Sequence, residues 1–213
     1  MFFGFMKLIF VGPQGCGKGT QAKIVAEKLG LCHISTGDAL REMSGVGGQV
    51  TEIGKEIKSY TDEGNLVPDE LIVRILKERV LQDDCDNGFI LDGFPRNVAQ
   101  ADELDKIMDV DKVIEIAISD DESVRRISGR RNCGECGAIW NVNTSPKPAD
   151  ASKCDKCGGE LIQRVDDNEE SLRKRLEIYH RDTEPILGRY TLVKVDGEQP
   201  IEKVSEDILK ALE

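Results

Sequence analysis

Two pairs of cysteines have a spacing that suits a metal ion. Cys133 and Cys136 form one Cys-x-x-Cys pair, Cys154 and Cys157 form a second, and 17 residues separate the pairs. A glycine follows the second cysteine of each pair, which favours the tight turn that presents thiolates and backbone N–H groups. This pattern is typical of a four-cysteine zinc site, and a site filled by four protein ligands is structural rather than catalytic. Redox disulfides and unligated thiols are the alternatives.

A glycine-rich stretch near the start, GPQGCGKG over residues 12–19, has the spacing of a phosphate-binding loop. Its glycines let backbone N–H groups turn towards phosphate oxygens, and the helix that follows adds a favourable field. Lys18 adds a point charge for the β- and γ-phosphates. The usual Ser/Thr after the lysine is displaced by one position, since Gly19 precedes Thr20. We expect a nucleoside triphosphate site here, which leaves hydrolases, transporters and kinases open.

Apolar segments that alternate with periodic ones must position these groups. Expected strands lie at 7–11, 32–36, 88–93, 112–118 and 191–197, and expected helices at 20–30, 69–80, 97–108, 121–129, 168–190 and 201–212. A glycine-interrupted helical region is expected over 37–67. Strands that alternate with helices predict an α/β fold, a parallel sheet covered on both faces. Ligands of such sheets bind at the carboxyl ends of the strands.

The overall charge limits the class of partner. The chain has 213 residues, 29 Lys+Arg and 40 Asp+Glu, for a net charge of −11. A general nucleic-acid binder is basic, so we expect no nucleic-acid partner. The sequence has no apolar run of 18 residues, and its apolar start lacks the basic region and cleavage site of a leader peptide. We therefore expect no membrane association and a cytoplasmic location.

Three further stretches carry a family resemblance. They are ISTGD at 34–38 followed by Arg41, LDGFPR at 91–96 followed by Gln100, and DDNEESLRKR at 166–175. In this order and spacing, over residues 6–213, the chain resembles adenylate kinases, which also carry Gly-Lys-Gly-Thr in the phosphate loop. The resemblance implies a P-loop three-layer fold with a parallel five-stranded sheet flanked by helices. It also implies the reaction ATP + AMP ⇌ 2 ADP with Mg²⁺, and a monomer.

The resemblance further implies a division of the chain. The core would comprise 1–34, 69–129 and 166–213, an AMP-binding insert would comprise 35–68, and a zinc lid would comprise 130–165. The four cysteines lie between Arg130 and Arg164, so the zinc would fold a polar lid that cannot build its own core. One Zn²⁺ per chain is expected, although a four-cysteine site also accepts iron or cobalt.

Site residues are implied by position. ATP would be bound by the loop and by a guanidinium stacked on adenine: Gly15, Cys16, Gly17, Lys18, Gly19, Thr20 and Arg126. AMP would be bound by Thr36, Arg41, Val67, Gly93, Arg96, Gln100, Arg164 and Arg175. The catalytic charges would be Lys18, Arg96, Arg130, Arg164 and Arg175, because the monophosphate dianion and the moving phosphoryl group need guanidinium forks.

Three carboxylates have two interpretations each. Asp92, at the end of a buried strand, is expected to orient the waters around Mg²⁺, and the alternative is a strand-end cap. Asp166 and Asp167 resemble hinge carboxylates that place Arg130 and Arg164, and the alternative is N-capping of the helix that follows. Both roles can hold together.

Other functions remain as competitors. Guanylate and uridylate kinases share the loop and the arginines, but Thr36 and Gln100 with a long lid favour AMP, since Gln100 offers both an amide donor and an acceptor. A zinc-ribbon nucleic-acid module would be supported by the arginines at 125–131. However, Trp140 is the only aromatic side chain between the cysteine pairs for base stacking. A nucleotide-binding regulator without turnover is a third class, which intact Lys18, Arg96 and Arg175 disfavour.

Overall fold

The computed structural model describes residues 5–37, 67–164 and 167–213. The strands are β1 (Met6–Val11), β2 (Cys32–Ser35), β3 (Gly88–Asp92), β4 (Lys112–Ala117), β5 (Arg130–Cys133), β6 (Ile139–Asn141), β7 (Leu161–Ile162) and β8 (Leu192–Asp196). The helices are α1 (Lys18–Leu29), α2 (Asp69–Val80), α3 (Val98–Asp105), α4 (Asp120–Gly129), α5 (Glu169–Ile178) and α6 (Ile201–Leu212). Five strands pair in parallel in the order β2-β3-β1-β4-β8, so the expected five-stranded parallel α/β sheet is confirmed.

Alternate residues of β1 build the two sides of the core. Leu8 and Phe10 pack with Ile90 and Ile114 under α1 and α6, while Ile9 and Val11 pack with residues of α2 and α3 on the other face. Side chains of a strand point to opposite faces in turn, so a sheet covered on both faces needs apolar residues at every position. β1 meets this need over residues 8–11, and it occupies the middle of the sheet.

A smaller antiparallel sheet lies between α4 and α5 in the chain. Its order is β6-β5-β7, with Arg131 opposite Trp140 and Cys133 opposite Leu161. Its apolar centre comprises only Cys133, Cys154 and Leu161, with Ala138 and Trp140 packed against them. So small a cluster buries too little surface to hold 35 residues together without another bond.

The expected helix over 168–190 is helical over residues 169–189, but it is not one regular α-helix. The regular α-helix ends at Ile178, a π-helical turn covers Tyr179–Thr183, and a 3₁₀ segment covers Glu184–Arg189. Pro185 explains the change, because it cannot donate the i→i−4 hydrogen bond and its ring clashes with the preceding turn. The other expected elements agree with the structure to within a few residues at their ends.

Several expectations lie outside the described residues. These are the helical region at 38–66 with Arg41, and the first of the two hinge carboxylates, Asp166. In the part of the chain that is described, no helix combines the length and the apolar character that crossing a membrane requires.

Candidate functional site

The phosphate loop follows β1 at the carboxyl end of the sheet and opens α1. Gly12 has φ +149°, and an added Cβ would lie 2.4 Å from the Ile116 carbonyl oxygen and 2.7 Å from Cys16 Sγ. Only glycine therefore fits at this turn. Lys18 Nζ donates to the carbonyl oxygens of Gly12 and Pro13 at 3.2 and 3.3 Å, so its ammonium group lies over the loop. Burial raises the pKa of the Cys16 thiol, which is consistent with packing rather than nucleophilic chemistry.

The loop rests on α4. Ser123, which is fully buried, donates its hydroxyl to the Gln14 carbonyl oxygen. Arg126 Nη1 lies 3.4 Å from the Gly15 carbonyl oxygen, and its other nitrogens donate to Glu122 and to the Gly197 carbonyl oxygen at 2.6 and 2.8 Å. Arg126 therefore lies beside the loop with its guanidinium plane fixed at three points.

Asp92 ends β3 next to the start of α1. An added Cβ on Gly19 would lie 3.1 Å from Asp92 Oδ2, tighter than most real contacts. A Cβ at residue 19 would therefore require the Asp92 carboxylate to shift by a few tenths of an ångström. The imidazole of His33, on β2, places Nε2 3.4 Å from the same oxygen, and that buried nitrogen has no hydrogen-bond partner among the described residues. Asp92 is thus confined on two sides within the site.

A turn after β3 carries Arg96. Arg96 Nε donates to the Gly93 carbonyl oxygen at 2.6 Å. Thr36, at the end of β2, donates its hydroxyl towards the carbonyl oxygens of Asp92 and Gly93 at 3.1 and 3.2 Å. Gly93 leaves the space that both need, since an added Cβ would lie 3.0 Å from Arg96 Nη2 and 3.3 Å from the Thr36 hydroxyl. The ends of β2 and β3 thus hold this arginine close to the sheet.

Two more elements fix the backbone of Arg96. Gln100 is buried; its Oε1 accepts from the Arg96 N–H at 2.7 Å and its Nε2 donates to Asp69 Oδ1 at 2.5 Å. Thr183, in the π-helical turn, donates its hydroxyl to the Arg96 carbonyl oxygen at 2.8 Å. Both backbone polar groups of Arg96 are therefore satisfied, and the residue is anchored from α3 and from the segment after α5.

A second group of arginines meets at the base of the small sheet. Arg130 pairs in a fork with Asp167, with Nε to Oδ2 at 2.8 Å and Nη2 to Oδ1 at 2.5 Å. The Asp167 side chain is fully buried, and Arg175 Nη2 lies 3.9 Å from its Oδ1. The Asp167 N–H donates to the Arg164 carbonyl oxygen at 3.1 Å. The Asp167 carboxylate thus links Arg130 to the helix that carries Arg175, and the Asp167 backbone N–H links it to Arg164.

Asp167 does not cap the helix that follows it. The N-cap of α5 is Asn168, whose side chain accepts from the Ser171 N–H. The capping alternative is therefore wrong for Asp167, and its carboxylate is directed to Arg130 instead.

The four lid cysteines converge. Their Sγ atoms all lie within 4.8 Å of one another, with 3.4 Å between Cys133 and Cys157 and 3.7 Å between Cys136 and Cys154. Four sulfurs placed 2.3 Å from a tetrahedral zinc would be about 3.8 Å apart, so the separations fit that ion. The four free thiols form no disulfide.

Neighbouring groups support these thiolates. Trp140 Nε1 donates to Cys154 Sγ at 3.3 Å, and the Cys136 N–H lies 3.5 Å from Cys133 Sγ and holds the pKa of that thiol below its ordinary value. Gly137 and Gly158 close the two turns with φ of +68° and +76°. N–H donors around thiolates are the usual outer shell of a metal–sulfur site.

The predicted residues thus fall into three places. The loop residues, Thr36, Asp92, Gly93 and Arg96 meet at the carboxyl edge of β1, β2 and β3, as parallel strands predict. Arg126 joins them from α4. The guanidinium groups of Arg130 and Arg175 lie at the Asp167 carboxylate, whereas Arg164 contacts Asp167 through its backbone carbonyl oxygen. Val67 is half-buried just before α2.

The sequence reasoning missed four residues that support the site, Asp69, Asn97, Ser123 and Thr183. Only Asn97 has a local signal, because Asn before a helix is a typical N-cap and its side chain accepts from the Gln100 N–H. The partners of the other three lie 31 to 109 residues away in the chain.

Comparisons with known proteins agree with the geometry. The family model described as adenylate kinase matches residues 10–195. A protein named adenylate kinase from Archaeoglobus fulgidus is 50% identical, with 98% of each chain covered. Proteins of the same name from Caldicellulosiruptor saccharolyticus and Thermodesulfovibrio yellowstonii are each 48% identical, with 97–98% of this chain and 99% of theirs covered.

Proposed function

This chain belongs to the adenylate kinase family, and we infer that it is an ATP:AMP phosphotransferase that acts on ATP, AMP and ADP. It transfers the terminal phosphoryl group of ATP to AMP and gives two ADP. The observation that carries the assignment is the match to a named adenylate kinase over 98% of the chain, together with a phosphate loop and an anchored Arg96 at the same sheet edge. Phosphoryl transfer needs two anions to be aligned and their charge to be neutralised, and the groups at this edge of the sheet can do both.

We propose that the chain divides into a core of 1–34, 69–129 and 166–213, an AMP-binding insert of 35–68 and a lid of 130–165. The separate antiparallel sheet of β5, β6 and β7 supports the lid boundary. The pairing of Arg130 with Asp167 lies where the lid would join the core, which suits a hinge.

For the donor nucleotide, we propose that the backbone N–H groups of the loop bind the phosphates, as helix N-termini do. The residues are Gly15, Cys16, Gly17, Lys18, Gly19 and Thr20. Lys18 supplies a mobile charge, since its hydrogen-bond partners within the described part of the chain are two carbonyl oxygens of the loop itself. Arg126 presents a planar guanidinium for adenine.

For the acceptor, we propose a pocket formed by Thr36, Arg41, Val67, Gly93, Arg96 and Gln100, with Arg164 and Arg175 completing the phosphate contacts. The double anchoring of Arg96 through its N–H and carbonyl groups supports this role, because a fixed fork loses less entropy on binding a dianion. Gln100 then has two tasks. It holds Arg96, and it would have to exchange its bond to Asp69 for a bond to the base.

For catalysis, we propose that Lys18, Arg96, Arg130, Arg164 and Arg175 share the charge of the moving phosphoryl group. Asp167 is a positioning residue: it keeps the Arg130 guanidinium in one plane and lies close to Arg175. Closure of the lid would bring these cations to the loop and exclude water.

Two metal ions fit the residues present. Mg²⁺ bound with ATP neutralises phosphate charge, and we propose that Asp92, a carboxylate beside the phosphate loop, orients its water ligands. Zn²⁺ would supply folding energy to the lid, and we propose that Cys133, Cys136, Cys154 and Cys157 bind one ion per chain.

A substrate panel tests the assignment. ADP formation from Mg-ATP would be measured with AMP, GMP, CMP and UMP, with Lys18→Ala as the blank. We expect turnover of AMP at least 100-fold above the others, since a site built for one base's hydrogen bonds rejects others strongly. Comparable turnover of CMP or UMP would overturn the base assignment, and no turnover with any of the four would overturn the enzyme assignment.

A further inference from the structure

Cys32, Asp84 and Cys85 form a cluster apart from the proposed site. Cys32 is the first residue of β2, and Cys85 ends a 3₁₀ turn shortly before β3. Both therefore lie at the amino ends of their strands, whereas the phosphate loop and Arg96 lie at the carboxyl ends. The two sulfurs and the Asp84 carboxylate lie within 4.8 Å of one another, and both cysteines are free.

We propose that Cys32 and Cys85 are a modification site, in which a peroxide oxidises the two thiols to a disulfide that staples β2 to the turn before β3. The pair is too close to be separated by another side chain, and no residue of the proposed reaction uses it. The bond would enclose residues 33–84, which include the proposed AMP-binding insert.

The surroundings assign a role to each thiol. Arg79 Nη1 donates to Cys85 Sγ at 3.1 Å, so a positive charge faces that sulfur. Cys32 Sγ donates to Asp84 Oδ2 at 3.4 Å, an anion that can accept its proton. Cys85 Sγ also lies 3.7 Å from Asp84 Oδ1, so the carboxylate borders both sulfurs and the direct hydrogen bond from Arg79 is what distinguishes Cys85. Cys85 is accordingly the sulfur that reacts first, because cations favour the thiolate. Burial raises the pKa of the Cys32 thiol to about 12 and that of the Cys85 thiol as well, which makes the reaction slow.

The reaction balances in two steps. The Cys85 thiolate attacks one peroxide oxygen, the O–O bond breaks, and Cys85 becomes a sulfenic acid as hydroxide leaves. Cys32 then attacks the Cys85 sulfur, the S–O bond breaks, and the sulfenic hydroxyl departs as water with the Cys32 proton. Two thiols and one hydrogen peroxide give one disulfide and two waters.

A metal ion is the less suitable occupant. Arg79 already donates to both Asp84 oxygens at 2.8 and 2.7 Å, in addition to its contact with Cys85. A divalent cation would have to displace or approach this guanidinium, and the described residues offer the cluster three ligands where a structural zinc takes four. A disulfide needs only the two sulfurs and leaves the ion pair between Arg79 and Asp84 intact.

The test is peptide mapping of the folded, zinc-loaded protein after exposure to hydrogen peroxide. The alkylated protein would be digested with trypsin without reduction. We expect peptides 29–41 and 80–96 to appear joined, and to separate after reduction. In the same experiment Cys32→Ser and Cys85→Ala should give no joined peptide. Two variants are used so that a folding failure of one does not remove the control.

Stability and activity provide two further readouts. The oxidised wild type should melt roughly 5 °C or more above the reduced protein, since a long loop is closed in the unfolded state. Oxidised Cys32→Ser should show no rise. Turnover should change less than twofold, because the pair lies at the opposite end of the sheet.

Two results would overturn the proposal. One is a joined peptide that forms only above the melting temperature. The other is a second equivalent of Zn²⁺ or Cd²⁺ that wild type binds and Cys32→Ser does not.

Discussion

The buried carboxylate of Asp167 gives the sharpest quantitative prediction. Replacing Asp167 by Asn keeps the shape of the side chain but removes its charge and one acceptor oxygen. In the wild type the Arg130 guanidinium donates to both carboxylate oxygens, at 2.8 Å (Nε to Oδ2) and 2.5 Å (Nη2 to Oδ1). In the variant, the amide NH₂ group would replace one of these acceptors. Donor would meet donor at a position with no access to water, since the Asp167 side chain is fully buried.

The size of the loss follows from this geometry. Breaking a buried ion pair by removing one partner costs about 3–5 kcal/mol. The Arg130 side chain is 19% exposed and can regain part of its hydration, so we expect the lower end, about 3 kcal/mol. For a chain of this size that corresponds to a fall in Tm of roughly 6–12 °C.

The assay is urea unfolding combined with steady-state kinetics. Glu169→Gln is the matched control, because it breaks a carboxylate–arginine pair with Arg173 in the same helix with both side chains about two-thirds exposed. Exposed i,i+4 pairs contribute only about 0.3–0.5 kcal/mol. We also expect kcat of Asp167→Asn to fall at least tenfold, because Arg130 loses its fixed orientation. Equal stability losses in the two variants would refute the argument from burial, and an unchanged kcat would refute the positioning role.

Three further predictions concern the lid, the phosphate loop and a histidine. Removing zinc with a chelator should lower the first melting transition while far-UV circular dichroism still reports the core, and an unchanged melting curve of protein shown to have lost zinc would contradict this. Gly12→Ala should destabilise the protein at least twice as much as Gly30→Ala, as measured by thermal unfolding. A Cβ at residue 12 clashes with the Ile116 carbonyl oxygen, whereas a Cβ at residue 30 meets open space and costs only the left-handed strain at φ +67°. Glu184 and Asp120 raise the pKa of His180, so the folded state binds more protons than the unfolded state. The stability that His180 contributes should be full below about pH 6.5 and should decline as the pH rises through the higher pKa of the folded state. Urea midpoints compared across pH should show this decline in the wild type and not in His180→Gln. The His180 contribution should stay below about 1 kcal/mol, because the ring is 45% exposed.

The periodic features of the sequence predict most of the fold. The apolar runs of β1 and β3 are continuous over residues 8–11 and 89–91 because both faces of the sheet are covered, whereas Glu115 interrupts the run of β4. Runs of this kind can be recognised from the local sequence alone. The prediction of one α-helix over 168–190 does not hold beyond Ile178, because it gave the charged helical pattern more weight than Pro185. The convergence of the four cysteines could also be predicted, because the spacing within each pair is local, and their four sulfurs do lie together in the structure.

Hydrogen-bond partners that lie far apart in the chain could not be predicted from local sequence patterns. Nothing near Thr183 indicates that its hydroxyl reaches the Arg96 carbonyl oxygen 87 residues away. The family resemblance predicts that Gln100 contacts the AMP base, and the structure shows that its side chain also accepts a hydrogen bond from the Arg96 backbone. Gly19 departs from the usual loop sequence, and its close neighbour Asp92 lies on a strand that the loop meets only after folding.

The strand order also bears on how the chain assembles during synthesis. β1 emerges first but pairs with β3 and β4, so the middle of the sheet cannot form until residue 117 has left the ribosome, and β8 joins only near the end. Such distant pairings are slow to close. The small sheet of β5, β6 and β7 pairs residues at most about 30 positions apart, so this sheet can form while the core still lacks its last strand.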